Sequence, residues 1–350
     1  MRYDTHDAAL EWLRPYGPDL AWGFTNHAPM VAEALCAAGR GDAVLPWLED
    51  HAKGLVERPA PGDPIDDDWR AALGRHERWA DWTARFESEL AQDAWPEVLA
   101  RWVARLAPGL AAAAAHGVIR TAHAARALAD ADTELRRAEL AAGLGYWAAT
   151  WQPLPVSEDA PRAATHALAA LRRVPRTVDV RPASTSIVGA LASLDDCPDF
   201  APVVHDLDVD RPADVVTGEL TDAFARAFLA NTDDRLGAIV FTHGITASAA
   251  LRTLAPLLAP EVRRDALRFA WQTGAALVAG YAREDAVEGD VAAPADPPAV
   301  LLERAIAGGD DHAIKLTEAC LAEHARSGSP VFLAAAARGI ERLAPEGDGL

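Results

Sequence analysis

Apolar side chains recur at i, i+3 and i+4 through most of this chain, and that spacing constrains the fold more than any other feature. Segments 27–40, 42–56, 92–116, 118–130, 161–173, 219–230, 245–257, 260–282, 298–307, 311–326 and 330–343 all carry it. It is the period of a helix that buries one face. Half the residues are hydrophobic, many of them alanine, the strongest helix former. Runs compatible with strands are short: 177–180, 203–204 and 238–241. Clusters of Pro, Gly and Asp mark loops at 57–68, 152–161, 205–216 and 283–298. The expectation is an all-α chain, either one large helical domain over 1–350 or two pseudo-symmetric helical halves, 1–155 and 215–350.

The net charge of −19 is spread along the chain. That balance argues against nucleic acid or an anionic membrane as partner. No run approaches 18 apolar residues, and the first residues lack the apolar core of a signal peptide. Cys36, Cys197 and Cys320 are far apart and have no CxxC spacing. A reducing cytoplasm is the expected compartment.

Four of the eleven histidines share a setting. His27, His116, His243 and His312 each begin or punctuate an apolar helical stretch and are followed directly by Ala or Gly. The segment from His27 to Ala34 repeats in step with His312 to Ala319, and His116-Gly117-Val118-Ile119 with His243-Gly244-Ile245-Thr246. If the repeat is real, two halves bring four imidazoles toward a shared centre. Neutral imidazole suits iron, copper, zinc or nickel. Small neighbours such as Gly117 and Gly244 are expected to let backbone approach a metal or cofactor. Taken singly, each histidine reads equally well as a capping or core residue.

Lysine is the second anomaly. Of 33 basic residues other than histidine, only Lys53 and Lys315 are lysine. Lys315 lies three residues after His312 on one helix face, behind Asp310 and Asp311 as N-cap residues. A buried lysine can lose its proton, which arginine cannot. A neutral amine there can take up carbon dioxide as a carbamate or form a Schiff base, and the plain alternative is a lysine whose head reaches out of an apolar helix. His123 is two turns beyond His116, about 10 Å along a regular helix. It is a candidate acid, base or substrate contact, with Arg120 between them to orient an anionic oxygen. Eleven tryptophans include Trp147, Trp151 and Trp271 downstream of the His-Gly pairs. Their indoles are either core or the lining of a cavity for a flat aromatic ligand. No GxGxxG after a strand, GxxxxGK[ST], GxSxG or HExxH occurs.

At Asn26-His27-Ala28-Pro29-Met30, His116 to Ala124, Phe241 to Thr246 and Asp310 to Leu316, the chain resembles the questin oxidase-like family. The ordered set spans nearly the whole chain. The resemblance implies an oxygenase that opens an anthraquinone-type ring of a polycyclic aromatic polyketide with dioxygen. It also implies non-haem Fe(II) held by His27, His116, His243, His312 and a carboxylated, CO2-derived Lys315, with His123 as the alternative to His116. Four imidazoles and one carbamate leave one octahedral position open, unlike the facial triad of two histidines and a carboxylate. His123 and Arg120 are then the catalytic candidates, and Trp147, Trp151 and Trp271 the substrate contacts. Two other readings stand beside this one: an NADPH-dependent Baeyer–Villiger oxidase without metal, and a non-catalytic helical ligand-binding protein. A homodimer is left open by the sequence.

Overall fold

The computed structural model describes residues 3–51, 53–177, 186–283, 291–292 and 294–344. Fifteen α-helices and one two-stranded sheet occur among them, so the chain is all-α. It divides into two compact units, 1–153 with 253–266, and 154–252 with 267–350.

In the first unit the helices Trp79–Gln92, Glu134–Ala149 and His116–Asp130 pack side by side. Trp82, Phe86 and Trp102 are fully buried and meet edge to face or stacked at ring-centroid distances of 4.9 to 5.7 Å. Arg105 lies over the Trp102 ring at 4.5 Å, and Glu89 accepts the indole N–H at 2.7 Å. This cluster accounts for much of the tryptophan excess, since such rings contribute large buried area and edge-to-face attraction. The strands Tyr16–Leu20 and Leu55–Glu57 pair antiparallel, the second beginning inside a predicted helix. They anchor the residue before His27: Asn26 N donates to Pro18 O at 2.7 Å and Asn26 Nδ2 to Gly17 O at 3.1 Å.

The second unit contains Ala213–Asn231, Pro298–Gly308, Asp311–Ser327, Pro330–Leu343 and most of Arg235–Leu254 and Pro260–Tyr281. Phe224 lies at its core, with Gly274 and Gly244 against its ring and Trp271 stacked at 6.2 Å. Buried Glu323 accepts from Arg252 Nε and Nη2, both at 2.8 Å, and from Thr221 Oγ1 at 3.0 Å, tying three helices together. The segment Arg235–Leu257 is apolar and long enough to cross a membrane, but 78% of its apolar window is buried in the protein. That burial fits a core helix.

Two strand expectations are corrected. Residues 238–241 belong to Arg235–Leu254, whose start is capped by Asp234 Oδ1 accepting from Gly237 N at 2.7 Å. Residues 203–204 sit in a 3-10 turn, Ala201–His205, opened by Pro202. The third, 177–180, lies outside the described residues beyond Thr177. The predicted helix 92–116 ends at Leu106, where Pro108 sits in a 3-10 turn, Ala107–Gly109, and Ala113, Ala114 and Ala115 beyond it are left-handed at φ 47, 57 and 69°. Each such residue costs about 1–2 kcal/mol in an L-residue.

Gly117 and Gly244 serve packing in the observed structure. A Cβ at Gly117 would lie 2.6 Å from Trp147 Cα, and at Gly244 3.3 Å from the Phe224 ring. Replacing an exposed helical Gly with Ala stabilises by about 1 kcal/mol. Gly117→Ala is predicted to do the reverse, destabilising by roughly 1–3 kcal/mol through overpacking. Chemical denaturation of the two proteins gives the sign.

Candidate functional site

Unit 1 brings His27 and His116 together. Their rings stack at 4.5 Å, and the two Nε2 atoms lie 2.7 Å apart. His27 is positioned by Asn26, whose Oδ1 accepts from Ala28 N at 3.0 Å at the start of Ala28–Ala37. His116 opens His116–Asp130 directly after the left-handed alanines, and its Nδ1 is bonded to Ala113 O. A carbonyl can only accept, so Nδ1 carries the proton and Nε2 presents a lone pair. The two Nε2 atoms therefore share a single proton, supplied by His27. Two imidazole nitrogens converging on one proton form a place where a cation can substitute for it.

Unit 2 brings His243 and His312 together, with rings edge to face at 5.4 Å. His243 is buried in the interior of Arg235–Leu254. His312 lies in the first turn of Asp311–Ser327, where Asp310 Oδ1 accepts from His312 N and Ala313 N at 2.9 and 3.0 Å. The expected N-cap is thus observed. His312 Nδ1 lies 2.7 Å from Asp311 Oδ1. A carboxylate on Nδ1 fixes the tautomer and makes Nε2 the better donor, as it does for metal-ligating histidines. Each unit pairs one histidine of each repeat type.

Lys315 lies one turn beyond His312 and is 3% exposed, whereas Lys53 is exposed. Lys315 makes no hydrogen bond or ion pair among the described residues. Burial lowers its amine pKa to about 8, against a weaker opposing effect of Asp311 and Asp310.

His123 and Arg120 each meet a carboxylate. His123 Nδ1 lies 2.6 Å from Glu33 Oε2, which also accepts from Arg126 Nη2 at 2.6 Å. Burial alone would raise the Glu33 pKa, but Arg126 and His123 hold it well below the usual carboxylate range. It is His116 that meets His27. Arg120 donates Nε and Nη2 to Glu139 at 2.7 and 2.9 Å. Trp147, Trp151 and Trp271 give their indole N–H groups to the backbone carbonyls of Gly109, Leu106 and Val203 at 3.1, 3.2 and 2.8 Å. Trp147 and Trp271 are fully buried. All three indole N–H donors are thus engaged by backbone carbonyls.

Sequence reasoning left Asp311 and Ala113 out of the site, although they set the tautomers of His312 and His116. The carboxylate beside His312 was a legible signal. The Ala113 carbonyl was not, because an alanine run reads as continuous helix.

Fold and residues together define an all-α protein with an imidazole pair in each unit and a buried lysine beside one of them. The chain belongs to the questin oxidase-like family, whose model matches residues 24–320 and so includes all five residues. That family is one of oxidases acting on anthraquinone polyketides, and membership implies an oxidoreductase. No curated protein matches the chain.

The Lys315 amine gives stability a defined pH dependence. Below about pH 8 the lysine is protonated in both folded and unfolded chains, and folding must bury an ammonium. Between about 8 and the ordinary 10.5 the folded chain releases the proton while the unfolded chain keeps it. Stability of the metal-free protein then rises with pH, by at most roughly 3 kcal/mol from this group. Lys315→Met is predicted to be more stable than wild type at pH 7 and to lack this rise. Denaturant titrations from pH 7 to 10.5 read the difference; parallel profiles would contradict it.

Proposed function

We propose that the chain is a non-haem iron oxygenase that opens a ring of an anthraquinone- or hydroquinone-type polyketide with dioxygen. His27, His116, His243, His312 and carboxylated Lys315 are its ligands in this reading. The observation that carries it is the buried Lys315 amine on the helix of His312, which has no hydrogen bond or ion pair among the described residues. With a pKa of about 8, roughly a fifth of such amines are neutral at pH 7.4, against about one in a thousand for an ordinary lysine. A neutral amine attacks carbon dioxide, forms the N–C bond and releases one proton, leaving a carbamate. The product is an anionic oxygen donor in place of a buried cation.

The remaining donors are neutral. His116 Nε2 is left as acceptor by the Ala113 carbonyl and His312 Nε2 by Asp311, so both suit Fe(II) without further proton loss. Moving the shared proton from Nε2 to Nδ1 of His27, its other neutral tautomer, frees His27 Nε2 in the same way. Bound iron supplies the one-electron chemistry that lets dioxygen react with a closed-shell aromatic ring. The chain's own part is to present four imidazoles and a single negative charge, and to keep the ligand side chains dry. Burial of His27, His116, His243 and Lys315 supports that role. No parallel βαβ unit of the dinucleotide-binding kind occurs among the described residues.

Protein reconstituted anaerobically with Fe(II) and desalted is predicted to retain stoichiometric iron. Lys315→Ala and Lys315→Arg are predicted to lose it, and short carboxylates to restore activity to Lys315→Ala alone. Asp311→Asn is predicted to weaken iron affinity roughly 10–100-fold by loosening His312. Wild-type protein that keeps no iron would contradict the reading.

A further inference from the structure

Unit 1 contains a cavity of about 1180 Å³, larger than most small-molecule sites, which run to roughly 1,000 Å³. It is lined by Asn26 and Pro29, from the segment that carries His27, and by Arg120, from the helix that begins at His116. Leu10, Leu13, Leu90, Leu135 and Ala142 contribute apolar wall.

The charges lining it are largely paired with one another. Arg58 Nη2 meets Glu87 at 2.8 Å, Arg137 Nη2 meets Asp132 at 2.7 Å, and Arg120 is held by both oxygens of Glu139. The fourth guanidinium, Arg14, lies 3.7 Å from Glu11. A polyphosphate would need cations free of such partners. A wall of apolar side chains interleaved with mostly paired charges suits a flat aromatic molecule that is neutral and carries oxygen at its edge.

One donor remains unspent. Arg120 is 5% exposed, and its Nη1 is buried with no hydrogen-bond partner. A buried N–H left without an acceptor is costly, and a single ligand oxygen would relieve it. A quinone carbonyl or phenol oxygen lies in the plane of its ring system, where a planar guanidinium can reach it.

We propose that this cavity binds the polycyclic ring system, with Arg120 Nη1 donating to a quinone carbonyl or phenol oxygen and Glu139 holding the guanidinium in place. The inference rests on the polyketide reading given above. Arg120 is here a binding group for the substrate oxygen, while the cavity wall selects for flat apolar rings.

The test uses metal-free full-length protein and 1,8-dihydroxyanthraquinone, with binding read by quenching of tryptophan fluorescence. Ala138→Trp fills the cavity from its wall without touching an ion pair. Arg120→Lys keeps a cation beside Glu139 but loses the fork. Wild type is expected to bind, and each variant to bind at least about tenfold more weakly, the effect of losing a charged hydrogen bond or its space. Circular dichroism checks that each variant folds; if Arg120→Lys does not, Ala138→Trp alone decides. Unchanged binding in folded Ala138→Trp overturns the cavity assignment and leaves the polyketide reading standing. Failure of wild type to bind overturns that reading, and this inference with it.

Discussion

A buried amine with no ion-pair partner among the described residues is the constraint on which the rest of the site depends. Moving an ammonium out of water costs several kcal/mol unless a partner offsets it. Several other buried charged side chains have one. Glu33 is held by Arg126 and His123, Asp206 by Arg162, Arg120 by Glu139, Arg136 by Asp7 and Asp130, and Glu323 by Arg252. Lys315 breaks the pattern among the described residues. It is also one of only two lysines in a chain that otherwise uses arginine. Arginine at 315 would stay charged and bring five donors needing acceptors. Lysine can shed the proton, and burial drives it to do so.

The histidines follow related logic. Neutral imidazole has one donor and one acceptor, so whatever binds Nδ1 decides what Nε2 can do. His116 gives its Nδ1 proton to a carbonyl, and Asp311 sits on Nδ1 of His312. The carbonyl belongs to Ala113, the first of three left-handed alanines. Strained backbone of this kind persists only where its surroundings over-determine it. Here it places an acceptor next to a histidine, which a regular helix would not do.

Much of the helical content was legible because apolar spacing and caps agree, as at Asp310 and the Asp311–Ser327 helix. Four helices escaped notice. Glu134–Ala149 is buried on nearly all sides over its last turns, so no single face stands out. In Trp79–Gln92 the apolar stripe is interrupted by Asp81, Arg85 and Glu89, which pair with Arg78 or with each other. Asp4–Leu13 buries a histidine on its apolar face, and Ile187–Ala192 is barely more than one turn. Residues 238–241 looked like a strand because a short β-branched run reads the same in a buried helix. The four histidines stood out by their matching neighbours, and the structure brings them together two by two, one pair in each unit. The purpose of Gly117 did not show, since only the packed structure reveals Trp147 against it. Arg120 was visible as a residue, but not its pairing with Glu139 or its unspent Nη1.

Because the chain has two lysines, lysine side chains can be observed almost individually. The most direct measurement is NMR of protein labelled with 15N at lysine Nζ, metal-free, titrated with pH and then given 13C-bicarbonate. Exposed Lys53 supplies one reference signal. The account predicts that the Lys315 signal loses its proton near pH 8 and gains a 13C-coupled carbamate resonance that is absent from Lys315→Arg. A Lys315 signal that stays protonated through pH 10 and never couples to 13C would contradict it.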